Sequence, residues 1–190
     1  MSLIDGILGQ LGGTAIAQMS QNVGAQPNQV QGAISAALPM IISAMAKNSA
    51  TPAGAQALNG ALDQHDGGIL GSLAGLIANP AGGQGLGILG HLLGGKQDNT
   101  ANTLGQANGL SGAQMGTIMM TLAPIVMGYL GKMRNEQGLD ENAVASVLSN
   151  EQQAHANANP GMMGMLSKLL DGNHDGSPVD DVLGMLGKLF

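Results

Sequence analysis

Six oxygen-bearing side chains near the end of the chain have the spacing of a calcium loop. Asp171-Gly172-Asn173-His174-Asp175-Gly176-Ser177 follows the opening D-x-[DN]-x-[DN]-G pattern of such loops. Calcium takes six to eight hard oxygen ligands, and carboxylates and amides at alternate positions of a tight turn converge on one point. Gly176 occupies the sixth position, where the chain must bend sharply. The twelfth position, where a bidentate glutamate closes a full loop, holds Val182. Asp180 and Asp181 fall just before it and close a shortened loop. The expected metal set is therefore Asp171, Asn173, Asp175, Ser177, Asp180 and Asp181, with calcium as the ion. The same stretch also reads as a plain helix start without metal: Ser177 as cap, Pro178 at the first position and Asp180 at the third. A bound ion would act structurally, neutralising clustered acids and locking the two flanking helices together.

Other chemistry is sparse. His65, His91, His155 and His174 are dispersed without ligand spacing, and His65-Asp66 reads as a surface turn. The chain lacks a G-x-S-x-G element. Gly83-Gln84-Gly85-Leu86-Gly87-Ile88 resembles a dinucleotide loop only superficially, because no strand precedes it. No cysteine is present, which excludes thiol catalysis and cysteine-based metal sites. The expectation is of a protein that is not an enzyme.

The elements that would position the acidic loop are helical. Apolar residues recur at three- and four-residue spacing throughout, and strand alternation is absent. Leu3, Ile4, Ile7, Leu8 and Leu11 share one helical face; Ser2 suits the cap and Gly12-Gly13 an end. Thr14 to Val23 reads as a second helix, stopped by Gly24. Val30, Ile34, Leu38, Ile41 and Met45 mark a long third helix with Pro39 inside it, which implies a kink or a break. Thr51-Pro52 opens the next. Ser111 with Gln114 forms a capping box for a later long helix through Met115, Ile118, Leu122, Val126 and Leu130. Gly138 closes it, and Asp140 caps its successor, with Leu139 and Val144 as a hydrophobic staple. Gly82 to Gly95 reads equally as a glycine-rich helix or as disordered chain.

Much of this pattern occurs twice. Gly24, Gln29, Pro39 and Lys47 recur as Gly109, Gln114, Pro124 and Lys132, at a constant offset of 85 residues. Later, Gly68-Ile69-Leu70-Gly71-Ser72-Leu73 returns as Gly161-Met162-Met163-Gly164-Met165-Leu166, and Leu89-Gly90-His91-Leu92 as Leu183-Gly184-Met185-Leu186. A repeat on this scale is architecture rather than a site. The organisation expected is an all-α bundle made from a duplicated helical unit: residues 1–95, a polar linker over 96–108, and residues 109–190 carrying the calcium-type loop.

These residues resemble the YidB-like bacterial domain-of-unknown-function family 937. The resemblance rests on Gln29-Val30 and Gln114-Met115, on the Ala-Leu-Pro-Met-Ile and Leu-Ala-Pro-Ile-Val centres, on the Leu-Gly-x-Leu helices, and on Asp171 to Asp181. Members often carry a similar Asp-Gly-Ser-x-x-Asp-Asp element late in the chain. The resemblance implies an all-helical fold and supplies no activity.

Composition narrows the partners. A net charge of −6 with Arg134 as the sole arginine opposes phosphate-backbone binding, and Tyr129 and Phe190 as the sole aromatics give no base-stacking platform. No nucleic acid is expected. The longest apolar run, Ala36 to Ala46, contains Pro39 and Ser43 and falls short of the ~20 residues a membrane span needs. The scarcity of basic residues speaks against an anionic membrane surface, and the amino-terminus has no basic leader, so a cytoplasmic location is expected. The thirteen methionines read as core filling or as an adaptable face for a partner helix. The reading is of a structural or interaction module that binds a protein partner or itself. An enzyme with an unrecognised site and a membrane-surface protein are the alternatives.

Overall fold

Two long apolar helices organise the chain, and the remaining helices lie around them. The computed structural model describes residues 2–64, 68–80, 84–158 and 164. The described residues are helical with short connections, and none is in a strand. In order they form α1 (Leu3–Val23), α2 (Pro27–Asn48), α3 (Pro52–Asp63), a 3-10 turn (Gly68–Ser72), α4 (Leu73–Ala78), α5 (Gly85–Leu93), α6 (Gln97–Ala107), α7 (Gly112–Gln137) and α8 (Glu141–Ala158). The all-α expectation holds. The six loop residues from Asp171 to Asp181, together with His65 and His174, lie outside the described residues.

The helices begin where the caps lie. Ser2 Oγ accepts from Asp5 N–H at 3.2 Å, Thr51 Oγ1 from Gly54 N–H at 3.1 Å, and Asp140 Oδ1 from Ala143 N–H at 2.8 Å. In α7 the capping box is complete. Gln114 N–H donates to Ser111 Oγ at 3.2 Å, and Gln114 Oε1 accepts from Ser111 N–H at 2.9 Å. Gly24 and Gly138 end α1 and α7 in the left-handed region, at φ of 65° and 62°. The stop expected at Gly12-Gly13 is a kink: Gly12 takes φ 55° and ψ 173°, and α1 resumes beyond it.

The apolar stripes of α2 and α7 are buried almost all round, as expected of helices at the centre of a bundle. Ile34, Leu38, Ile41, Ile118, Leu122 and Val126 have no exposed surface. Both helices are long and apolar enough to cross a bilayer by length and composition, with mean hydropathy 1.3, and 72% and 67% of those windows are buried inside the bundle. Pro39 and Pro124 are both buried and stay within continuous helices.

Polar side chains tie the elements together across long sequence distances. Gln29 Nε2 donates to the Gly109 carbonyl at 2.8 Å. Gln114 Nε2 donates to the carbonyls of Val23 at 2.9 Å and Gly24 at 3.4 Å. Arg134 joins α7 to α3, donating to Asn59 Oδ1 at 2.9 Å and pairing with Asp63 at 2.8 Å.

The polar stretch expected as a linker contains a helix. α6 packs mainly on α7 and buries Thr100, Ala101, Leu104 and Gly105. Its apolar signal is two side chains three residues apart, too weak to outweigh the surrounding polarity. Gly105 permits the close approach, because a Cβ there would come within 2.9 Å of the Leu110 and Ser111 carbonyls.

Candidate binding groove

Among the described residues, a concavity lies between α3 and α5, floored by the end of α2 and the middle of α7. Three local features build it. Thr51 caps α3 directly after α2, and Gly54 lets α3 turn back closely, since a Cβ there would collide with the Asn48 carbonyl. Asn48 Nδ2 then reaches across to α5, donating to the Leu92 carbonyl at 3.3 Å and to that of His91 at 3.5 Å. Those carbonyls belong to the last turn of α5, whose own helix supplies them no donor. α5 is held from the other side by Gly85, where a Cβ would collide with the Met120 carbonyl of α7.

The resulting groove has a volume of about 690 Å³, in the range of small-ligand and peptide sites. Its apolar wall comes from Met45, Leu58, Ile88, Leu92 and Met127, while Asn48, Gln84 and His91 provide polar atoms. Methionine and leucine adapt to shape without demanding one geometry. Among the described lining residues, His91 is the titratable side chain. The sequence marks the start of α3 at Thr51-Pro52 and leaves Gly82 to Gly95 open between helix and disorder, and periodicity cannot show a gap between two helices.

A partly buried carboxylate with several partners lies elsewhere. Glu151 of α8 faces the start of α1, accepting from Leu3 N–H at 3.1 Å and Ile4 N–H at 3.3 Å. His155 Nε2 lies 3.4 Å from Glu151 Oε1, one turn along α8. Burial raises the pKa of this carboxyl, but the Ser2 hydroxyl, the two N–H groups and His155 outweigh it and hold the group below its ordinary value. The arrangement satisfies free donors at a helix start and fastens α8 to α1. Among the described residues, no three His, Cys, Asp or Glu side chains gather to hold a metal.

Residues 5–133 match a family described as bacterial protein of unknown function (DUF937). The match covers α2 and most of α7 and ends before α8, so it does not reach the acidic loop. Neither a curated protein nor a solved structure matches the chain. With more than half of its length covered, from the first turn of α1 to the last turns of α7, the chain belongs to the bacterial family of unknown function DUF937.

Proposed function

We propose that this protein is a non-enzymatic interaction module whose α3–α5 groove receives the apolar face of an amphipathic helix from a protein partner. The observation that carries the reading is the groove itself: adaptable aliphatic and thioether side chains around a space of about 690 Å³, with a few polar atoms at hand. The net charge of −6 favours a partner helix with basic flanks. The location is cytoplasmic in this reading, and the burial of α2 and α7 supports their role as core helices.

Methyl-labelled methionine gives a direct test, using a leucine–lysine amphipathic model helix as the probe. The Met45 and Met127 signals are expected to move saturably on titration, and Leu58→Glu should weaken the binding at least tenfold, about 1.4 kcal/mol. Unmoved Met45 and Met127 signals, or shifts spread evenly over all methionines, would refute the groove.

The second part of the reading is that Asp171, Asn173, Asp175, Ser177, Asp180 and Asp181 hold calcium, as their spacing suggests. Calcium in large excess over its dissociation constant is expected to raise the melting temperature by a few degrees relative to chelator. Identical midpoints would dismiss the ion.

The reciprocity of the glutamine contacts supports a duplicated unit. Gln29 reaches Gly109, Gln114 reaches Gly24, and each residue of one pair stands 85 positions from its counterpart in the other. Such an exchange is the signature of two equivalent surfaces meeting about a two-fold axis. α3 packs on α7 and α8 packs on α2, in keeping with the same relation.

A further inference from the structure

The two central prolines leave their freed carbonyls in unlike surroundings. An α-helical N–H at Pro124 would have bonded the Met120 carbonyl, and one at Pro39 the Ser35 carbonyl; proline brings neither. At Met120 the place is covered. Gly85 lies so close that its Cα–H faces the oxygen where a Cβ would collide, a weak but favourable contact. Met120 is half-buried and Thr121 buried there. At the matching place on α2, Ser35 is exposed and Ala36 only half-buried.

We propose that the C-terminal segment Val179–Phe190 of this same chain docks on α2 at Ser35 and Ala36, the place that α5 occupies on α7 at Met120 and Thr121. The proposal rests on the duplication inferred above. The segment lies outside the described residues, so its assignment comes from matched pattern and length. Ile88, Leu89 and Leu92 correspond to Val182, Leu183 and Leu186. Of the first three, Leu89 is buried, and Ile88 and Leu92 pack partly buried against the core. Leu86 and Gly87, exposed on α5, correspond to Asp180 and Asp181, whose charges suit an outward face. The connections match too: residues 64–84 join α3 to α5, and residues 159–178 join α8 to Val179, a difference of one residue.

Val179 stands where Gly85 does, and a valine cannot approach a carbonyl as closely. On this seat the segment is expected farther out on α2 than α5 on α7. Its occupant is this chain rather than a second copy because the connecting length repeats the one that already places α5.

The chain has no native cysteine, so a Ser35→Cys/Val179→Cys variant carries just two thiols. In dilute solution under a glutathione redox buffer, it is expected to close an intramolecular disulfide at least tenfold faster than Asn99→Cys/Val179→Cys, whose first thiol is exposed on α6. Equal rates overturn the proposal, and so does a disulfide-linked dimer as the main product. Unchanged helical circular dichroism of the reduced variants reports that both are folded. Gln29→Ala and Gln114→Ala, melted alongside, read the duplication alone, which predicts matched drops in melting temperature. Matched drops without fast closure retain the duplication and remove the docking seat. Fast closure with unmatched drops retains the seat and removes the duplication.

Discussion

Gly85→Ala and Gly90→Ala are expected to move stability in opposite directions, although both lie in the nine-residue helix α5. Each replaces a helical glycine and gains about 0.5–1 kcal/mol from the smaller backbone entropy to be lost. At Gly90 a Cβ meets nothing within 4 Å, so the gain is realised. At Gly85 the Cβ runs into the Met120 carbonyl, a backbone atom in the middle of α7. α7 cannot yield easily, because Ile118, Met119 and Leu122 around that point are fully buried. Overpacking of this kind costs about 1–3 kcal/mol. Lifting α5 away instead exposes Leu89 and Leu93, now 2% and 5% exposed, at about 1.5–3 kcal/mol for each side chain. The milder route sets the outcome, so Gly85→Ala should lose about 1 kcal/mol net while Gly90→Ala gains up to about 1. Urea unfolding measures both. The groove should also bind the model helix more weakly in Gly85→Ala, since Ile88 and Leu92 move with α5. Equal stability of the two variants would mean that α5 does not rest on Met120.

The sequence made the central helices legible because their signals are redundant. α7 is announced by Ser111 and Gln114 at one end, Gly138 at the other, and a stripe of large side chains between them; any one would have served. α2 has its proline at the first turn and the same stripe. Short helices with one signal each were harder. α6 offers Ala101 and Leu104 among amides, and its stability comes from α7 rather than from its own propensity. The glycine-rich stretch of α5 was open between helix and disorder for the same reason, and the close fit of Gly85 on α7 decided for helix. The groove could not be read at all, since a gap between two stripes is a property of backbone spacing. Its walls depend on Gly54 and Gly85, residues whose role is to be small at one place. Glu151 was equally silent in sequence: it lies 147 residues from Ile4, and no local rule joins an α8 carboxylate to the start of α1.

Glu151 also carries the second large effect. Glu151→Gln is expected to cost about 1–2 kcal/mol at neutral pH and to flatten the loss of stability in acid. A carboxylate bonded to free N–H groups at a helix start gains from charge-assisted hydrogen bonds and from the positive end of the helix dipole. Its side chain is 11% exposed, so solvent screens these interactions only in part. The amide keeps an acceptor but forfeits the charge. The pH dependence follows from the lowered pKa of the folded state. In the unfolded chain the group titrates near its ordinary value of about 4.3. Above that value both states are ionised and the full stabilisation is present. As pH falls below it, the unfolded state takes up a proton before the folded state does, and the stabilisation drains away until the folded carboxyl is itself protonated. The parent and the variant should therefore differ most at neutral pH and converge in acid, with the change beginning near pH 5. Urea midpoints measured from pH 7 to pH 3 give both curves. Parallel curves with a constant gap would show that Glu151 acts by packing alone, and that the ionic fastening of α8 to the start of α1 contributes nothing.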